Sequence, residues 1–128
     1  MEAKTILVIE DNEMNMKLMK AVLQLGKYEV LEAGDAETGL ALARANPPDL
    51  ILMDIQLPGM DGLSATQIIK ADERLKAIPI YAVTGFAMEG EKEKARGIGF
   101  DGYIVKPFKV KELLDTLSRQ FASVPPAG

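Results

Sequence analysis

Residues 50–54 read Leu-Ile-Leu-Met-Asp, four apolar residues followed at once by an acid. An unbroken apolar run of this length is typical of a strand buried on both faces of a parallel sheet. Comparable runs occur at residues 5–9, 28–33, 80–84 and 102–105, and consecutive runs start 22 to 30 residues apart. That spacing is too long for hairpins and long enough for a crossover helix each time. The sequence therefore predicts an α/β fold of five βα units.

Apolar residues at helical spacing fill the segments between these runs. The second such segment begins after Asp35, a helix-capping residue, and ends before Pro47. A fourth helix around residues 89–96 is charged and nearly without an apolar stripe, so we expect it to be the least firmly packed. The clearest stripes are Met16, Met19, Val22 and Leu23, then Ala36, Leu40 and Ala43, and finally Val110, Leu113, Leu114, Leu117 and Phe121.

The length and composition exclude several classes of protein. The chain has 128 residues, which suffices for one domain, expected at residues 1–122, with a short disordered tail at 123–128. It has no Cys and no His, which excludes disulfides, thiolate nucleophiles, zinc fingers and Ser-His-Asp triads. Its net charge of -4 argues against nucleic-acid binding. Since no segment approaches the ~20 apolar residues of a membrane span, we expect a cytoplasmic protein that does not contact the membrane.

Polar residues follow the ends of four of the five predicted strands. Glu10 and Asp11 follow the first strand, Asp54 the third, Thr84 the fourth and Lys106 the fifth. In an open parallel sheet, ligands bind beyond the carboxyl ends of the strands. In a flavodoxin-like doubly wound sheet, with the strand order 2-1-3-4-5, the three acids would converge.

Three converging carboxylates repel one another unless a divalent cation lies between them. With no His in the chain, the expected ion is Mg²⁺, or Mn²⁺ in its place. Lys106 adds a positive charge and Thr84 a hydroxyl donor. These groups together suit a carboxylate nucleophile and a phosphoryl group, and the residue types alone leave open which carboxylate attacks.

Four blocks of sequence carry a resemblance to a known family. They lie at residues 6–12, 50–62, 83–84 and 103–108, in that order. From about Lys4 to Phe121, the chain resembles the receiver domains of bacterial two-component response regulators. Within that family, residues 10–15 and 84–88 look most like receivers of hybrid kinases and stand-alone regulators of the DivK type.

The resemblance implies a chemical function for each acid. Asp54 would be the phosphoacceptor and would take its phosphoryl group from a phosphohistidine on a partner histidine kinase or phosphotransfer protein. Glu10, Asp11, Asp54 and the backbone carbonyl of Gln56 would hold Mg²⁺. Lys106 would pair with the phosphoryl group. The only expected chemistry is gain and loss of the protein's own phosphoryl group, so the chain would not be an enzyme acting on other molecules.

The resemblance also implies a switch and a means of setting the phosphoryl lifetime. Thr84 would hydrogen-bond the phosphoryl group, and the ring of Tyr103 would then turn inward. Gln56 and Phe86 would line the approach of water and so tune dephosphorylation. The sequence departs from the family pattern at Glu10, where Asp is commoner, and at Gly85, where Ala is usual; the glycine gives that loop extra freedom.

Signalling would then proceed by phosphorylation-dependent protein binding. The family implies a downstream target on the face formed by the fourth helix, the fifth strand and the fifth helix. Basic residues concentrate in those segments, which favours an acidic partner. They are Lys92, Lys94, Arg96, Lys109 and Lys111.

Three other classes of protein compete with this interpretation. A haloacid-dehalogenase-like phosphohydrolase places a second Asp two residues past its nucleophile, where this chain has Gln56, which cannot exchange protons at neutral pH. A flavodoxin needs a hydroxyl-rich phosphate loop where this chain has Glu10 and Asp11. A pseudo-receiver acting only as a scaffold would not need all three acids together with Thr84 and Lys106.

Overall fold

Five parallel strands form the centre of the protein in the computed structural model, which describes residues 4–54, 62–84, 99–105 and 109–122. At residues 62, 63, 84, 103 and 122 it describes the backbone alone. The strands are β1 (Thr5–Ile9), β2 (Glu29–Ala33), β3 (Leu50–Asp54), β4 (Ile80–Thr84) and β5 (Gly102–Val105). Their order in the sheet is β2-β1-β3-β4-β5, which confirms the predicted flavodoxin-like topology.

Four helices are described, and each follows one of the predicted strands in sequence. They are α1 (Glu13–Leu25), α2 (Ala36–Ala45), α3 (Gly62–Ala71) and a C-terminal helix (Val110–Ala122). The predicted fourth helix at residues 89–96 and the predicted tail at 123–128 lie outside the described residues. None of the described helices is long and apolar enough to cross a membrane.

Side-chain caps fix where α1 and α2 begin. The Asn12 side chain accepts a hydrogen bond from the backbone N–H of Asn15 at 2.9 Å, and Asp35 accepts one from Thr38 at 2.7 Å. That backbone hydrogen bond from Thr38 lowers the pKa of Asp35 below its usual value, so the capping carboxylate stays ionised at neutral pH. Because Asn12 directly follows the two acids at the end of β1, its cap places them at the start of α1.

Two apolar layers cover the sheet, one on each face. All five residues of β3 are buried, as an interior strand between two helical layers requires. β2 differs from the expectation of full burial, because it forms the edge of the sheet and exposes Glu29 and Glu32. The predicted stripe of the C-terminal helix is also only partly correct, because Leu113 and Leu117 are buried while Val110 is 44% exposed.

The C-terminal helix is held to the sheet through Tyr81 of β4. The ring lies so close to Gly102 of β5 that a Cβ on that glycine would meet it at 2.8 Å. Burial is the main cause that raises the pKa of the Tyr81 phenol above its usual value, and the negative charge of Asp101 adds to this effect. The phenol therefore stays protonated and donates a 2.6 Å hydrogen bond to Gln120.

Gly39 allows α2 to approach β1 closely, and its replacement by alanine is expected to destabilise the fold. A Cβ at this position would overlap Ile9, whose Cγ1 would lie 2.8 Å away. Overpacking a core costs about 1–3 kcal/mol, and the helix preference of Ala over Gly offsets at most ~1 kcal/mol. Since the added Cβ would overlap two atoms of the buried Ile9, we expect the upper part of that range, and urea unfolding of Gly39→Ala should show a net loss of about 1–2 kcal/mol.

Gly34→Ala is the matched control for that measurement. A Cβ at Gly34 would meet nothing within 4 Å, so its unfolding free energy should stay within about 0.5 kcal/mol of wild type. Equal stability of the two variants would show that α2 does not pack against Ile9 as described.

Candidate metal centre and phosphoacceptor site

The register of the sheet brings the acids of β1 and β3 to one edge. Ile9 pairs with Met53, so the next residues, Glu10 and Asp54, leave the two adjacent strands side by side. The backbone N–H of Glu10 donates to Ala33 at 3.0 Å, which extends the β1–β2 ladder one residue beyond β1. Both acids are therefore held by the sheet backbone and not by a free loop.

Three carboxylates meet at this edge. One oxygen from each of Glu10, Asp11 and Asp54 lies within 4.8 Å of the other two. Glu10 is only 3% exposed and Asp54 only 8% exposed, whereas Asp11 faces solvent. Two buried carboxylates and one exposed carboxylate at this distance form a strongly negative, partly desolvated site.

This set of donors fits a hard divalent cation. Carboxylate oxygens are preferred ligands of Mg²⁺, whose bonds to oxygen are about 2.0–2.1 Å, so neighbouring and opposite ligands lie about 3–4 Å apart. The 4.8 Å limit within the cluster is close to that range. Mg²⁺ usually keeps several waters, so one exposed acid and two buried acids leave coordination positions for water and a phosphoryl oxygen.

A cleft of about 510 Å³ opens beside the acidic cluster, between the start of α1 and the end of β2. Its volume lies in the range of small-molecule sites. It shares Glu10 and Asp11 with the cluster. The described residues that line it are Glu10, Asp11, Glu13, Met16, Lys17, Glu32, Ala33 and Gly34.

The other predicted site residues are described in part or not at all. The backbone of Thr84 ends β4 and pairs with Val105, the residue before Lys106 in sequence. The backbone of Tyr103 lies in β5 opposite Ala82. The side chains of Thr84 and Tyr103 are not described, and Gln56, Gly85, Phe86 and Lys106 lie outside the described residues.

Sequence patterns did not identify the far wall of the cleft. Glu32 of β2 accepts a 3.1 Å hydrogen bond from Lys20 of α1, and this ion pair joins the two elements. Lys17, one turn earlier on α1, lines the cleft itself. Neither Glu32 nor Lys17 follows the end of a strand. The search for polar residues after strand ends, which located the acids, therefore could not identify these two residues.

Comparison with known proteins indicates the same family that the sequence motifs resemble. The sequence model of the family described as response regulator receiver domain matches residues 6–118. The polar-differentiation response regulator DivK of Brucella ovis is 45% identical over 114 residues, which cover 89% of this chain and 93% of DivK.

Two solved structures are also similar. The receiver domain of a sensor histidine kinase from Pseudomonas aeruginosa, with a magnesium ion coordinated in its active site cleft, is 37% identical with a TM-score of 0.88. That likeness covers 95% of this chain and 100% of the other. The phosphorylated cyanobacterial phytochrome response regulator RcpA is 27% identical with a TM-score of 0.81, over 98% of both chains. The strand order of the fold and the acids at the strand ends agree with the family match over residues 6–118. The chain belongs to the response regulator receiver domain family of bacterial two-component systems.

Proposed function

We propose that this receiver accepts a phosphoryl group on Asp54 in a Mg²⁺-dependent reaction and signals by phosphorylation-dependent protein binding. The observation that carries the proposal is the meeting of Glu10, Asp11 and Asp54 at the adjoining ends of β1 and β3. Among the three acids we assign the attack to Asp54, the position that the resemblance to receiver domains implies, which ends the central strand β3. The magnesium in the Pseudomonas receiver and the phosphorylation of RcpA support the same chemistry.

Each residue contributes a distinct part of the transfer. A carboxylate oxygen of Asp54 forms a bond to phosphorus while the bond from phosphorus to the donor's imidazole nitrogen breaks. Glu10, Asp11, Asp54 and the carbonyl of Gln56 would hold Mg²⁺, which when bound neutralises charge on the phosphoryl oxygens. Lys106 pairs with the transferred group.

The phosphoryl donor lies outside these 128 residues. Receiver domains of this family interact with histidine kinases, and this chain has no His that could carry the phosphoryl group itself. A sensor histidine kinase or a histidine phosphotransfer protein therefore supplies it. After transfer, Thr84 hydrogen-bonds the new group and Tyr103 turns inward, while Gln56 and Phe86 govern access of water and hence the lifetime.

The proposal is tested by intact-mass measurement after incubation with acetyl phosphate and Mg²⁺. We expect a fraction of the protein to gain the mass of one phosphoryl group, and we expect this adduct to be absent when EDTA replaces Mg²⁺. An adduct of equal abundance with EDTA, or no adduct in either sample, contradicts the proposal.

We further propose that the target binds the face formed by β5 and the C-terminal helix, together with the fourth helix that the sequence predicts. Lys109, Val110 and Lys111 are exposed there, two positive charges flanking an apolar side chain, which favours an acidic partner. Phosphorylation should shift backbone amide resonances in residues 102–115 of the ¹⁵N-labelled protein. Shifts confined to α1, α2 and α3 would overturn this assignment.

A further inference from the structure

We propose that Lys17 attracts small anionic phosphoryl donors, of the acyl phosphate class, into the cleft beside the acidic cluster and positions them there. The inference rests on the proposed function of Asp54 and adds the residue that makes this acidic site accessible to a free phosphorylated anion. The cleft is electrostatically unfavourable for such a donor. Four of the described residues lining the cleft are acids, and an acyl phosphate is itself an anion.

Lys17 is the one basic side chain among the described residues that line the cleft. It is exposed and has no ion pair with another described residue, so its charge is available to a ligand. The next lysine of the helix, Lys20, instead forms an ion pair with Glu32, with 3.1 Å between its Nζ and Glu32 Oε2. That pair offsets one acid of the cleft wall and leaves Lys17 as the free positive charge of the described wall.

The position of Lys17 is fixed by its helix. The Asn12 cap starts α1 beside the acids, and the neighbouring Met16 is only 8% exposed and packs into the core. The backbone at Lys17 therefore cannot move freely, and its side chain extends from a rigid element over the cleft. A flexible ammonium on a rigid helix can contact a phosphoryl or carboxylate oxygen without remodelling the site.

The cleft offers a leaving group space beside the acidic cluster and away from Asp54. Glu10 and Asp11 border it, whereas Asp54 is not one of its lining residues. In an in-line transfer, the attacking and leaving oxygens lie on opposite sides of phosphorus. When an Asp54 oxygen bonds to phosphorus, the bond from phosphorus to the acyl oxygen breaks, and the carboxylate leaves into the cleft with the electron pair. Lys17 stabilises that departing anion.

The test compares second-order rate constants for phosphorylation by acetyl phosphate in wild type, Lys17→Gln and Lys17→Arg. At low ionic strength we expect Lys17→Gln to be about three- to tenfold slower and Lys17→Arg to be close to wild type. The deficit should shrink below about twofold in 0.5 M salt, where screening is strong. It should also be smaller with phosphoramidate, which carries less negative charge than acetyl phosphate at neutral pH.

Lys27→Gln is the matched control, because it makes the same substitution in the turn beyond the far end of α1, and the helix from Lys17 to Leu25 alone spans about 12 Å. Its rate constant should equal that of wild type. Equal rates for Lys17→Gln and wild type, a Lys27→Gln deficit as large as that of Lys17→Gln, or a Lys17→Arg variant as slow as Lys17→Gln would each overturn the assignment of Lys17. A wild-type protein that neither donor labels would overturn the proposed function of Asp54 itself.

Discussion

Asp54→Asn is expected to lower incorporation of a phosphoryl group from acetyl phosphate by at least about a thousandfold, to the limit of detection. An amide lacks the charge and the nucleophilic oxygen of a carboxylate, while its shape is nearly the same. Asp54 is 8% exposed at the end of the central strand, whereas its cluster neighbour Asp11 faces solvent, so Asp11 does not share its geometry. Intact-mass spectra recorded over time measure the effect directly.

Asp115→Asn is the control for Asp54→Asn. It makes the same chemical change at an exposed position of the C-terminal helix, away from the acidic cluster, and should be labelled like wild type. Circular dichroism should show both variants folded. Labelling of Asp54→Asn at half the wild-type rate or faster would mean that another residue is the acceptor.

Asp11→Asn is expected to weaken Mg²⁺ binding by about tenfold or more, because it removes one of three charged oxygen ligands. It should also stabilise the metal-free protein, because two carboxylates repel each other less than three do. The thermal unfolding temperature without metal should therefore rise, while the increase produced by added Mg²⁺ should fall. Since the chain has no Trp, calorimetric titration is the suitable measurement of affinity.

Glu13→Gln separates this effect from a general loss of negative charge. Glu13 lines the cleft but does not belong to the acidic cluster, so its substitution should change Mg²⁺ affinity less than about twofold. A Glu13→Gln variant as impaired as Asp11→Asn would show that Mg²⁺ is attracted by overall charge and not held by the three acids.

The apolar runs of the sequence predict five βα units, and the strand order 2-1-3-4-5, which comes from flavodoxin-like sheets, is confirmed. An unbroken apolar run such as Leu50–Met53 favours a strand buried on both faces of the sheet. The spacing between successive runs is too long for hairpins and long enough for a crossover helix. Acids placed at strand ends then meet once β1 and β3 are neighbours. The convergence of Glu10 and Asp54 thus follows from their places at strand ends together with that strand order.

Features that depend on neighbours in space could not be predicted in the same way. Val110 continues the apolar stripe of its helix but lies at the first turn, beyond the edge of the core, and stays exposed. β2 reads as a buried run, yet its place at the edge of the sheet exposes two glutamates. The cleft is formed by α1 and β2 together, so no motif in either segment identifies Lys17.

The measurement that tests the account most directly is localisation of the phosphoryl group after acetyl phosphate treatment. Borohydride reduces an acyl phosphate on aspartate to homoserine, and trypsin then releases residues 45–70 as one peptide that holds Asp49, Asp54 and Asp61. Fragmentation of this peptide assigns the modified position. We expect homoserine at Asp54 alone, and only when Mg²⁺ was present. Homoserine at Asp49, at Asp61 or in another peptide would contradict the assignment of Asp54 as the phosphoacceptor.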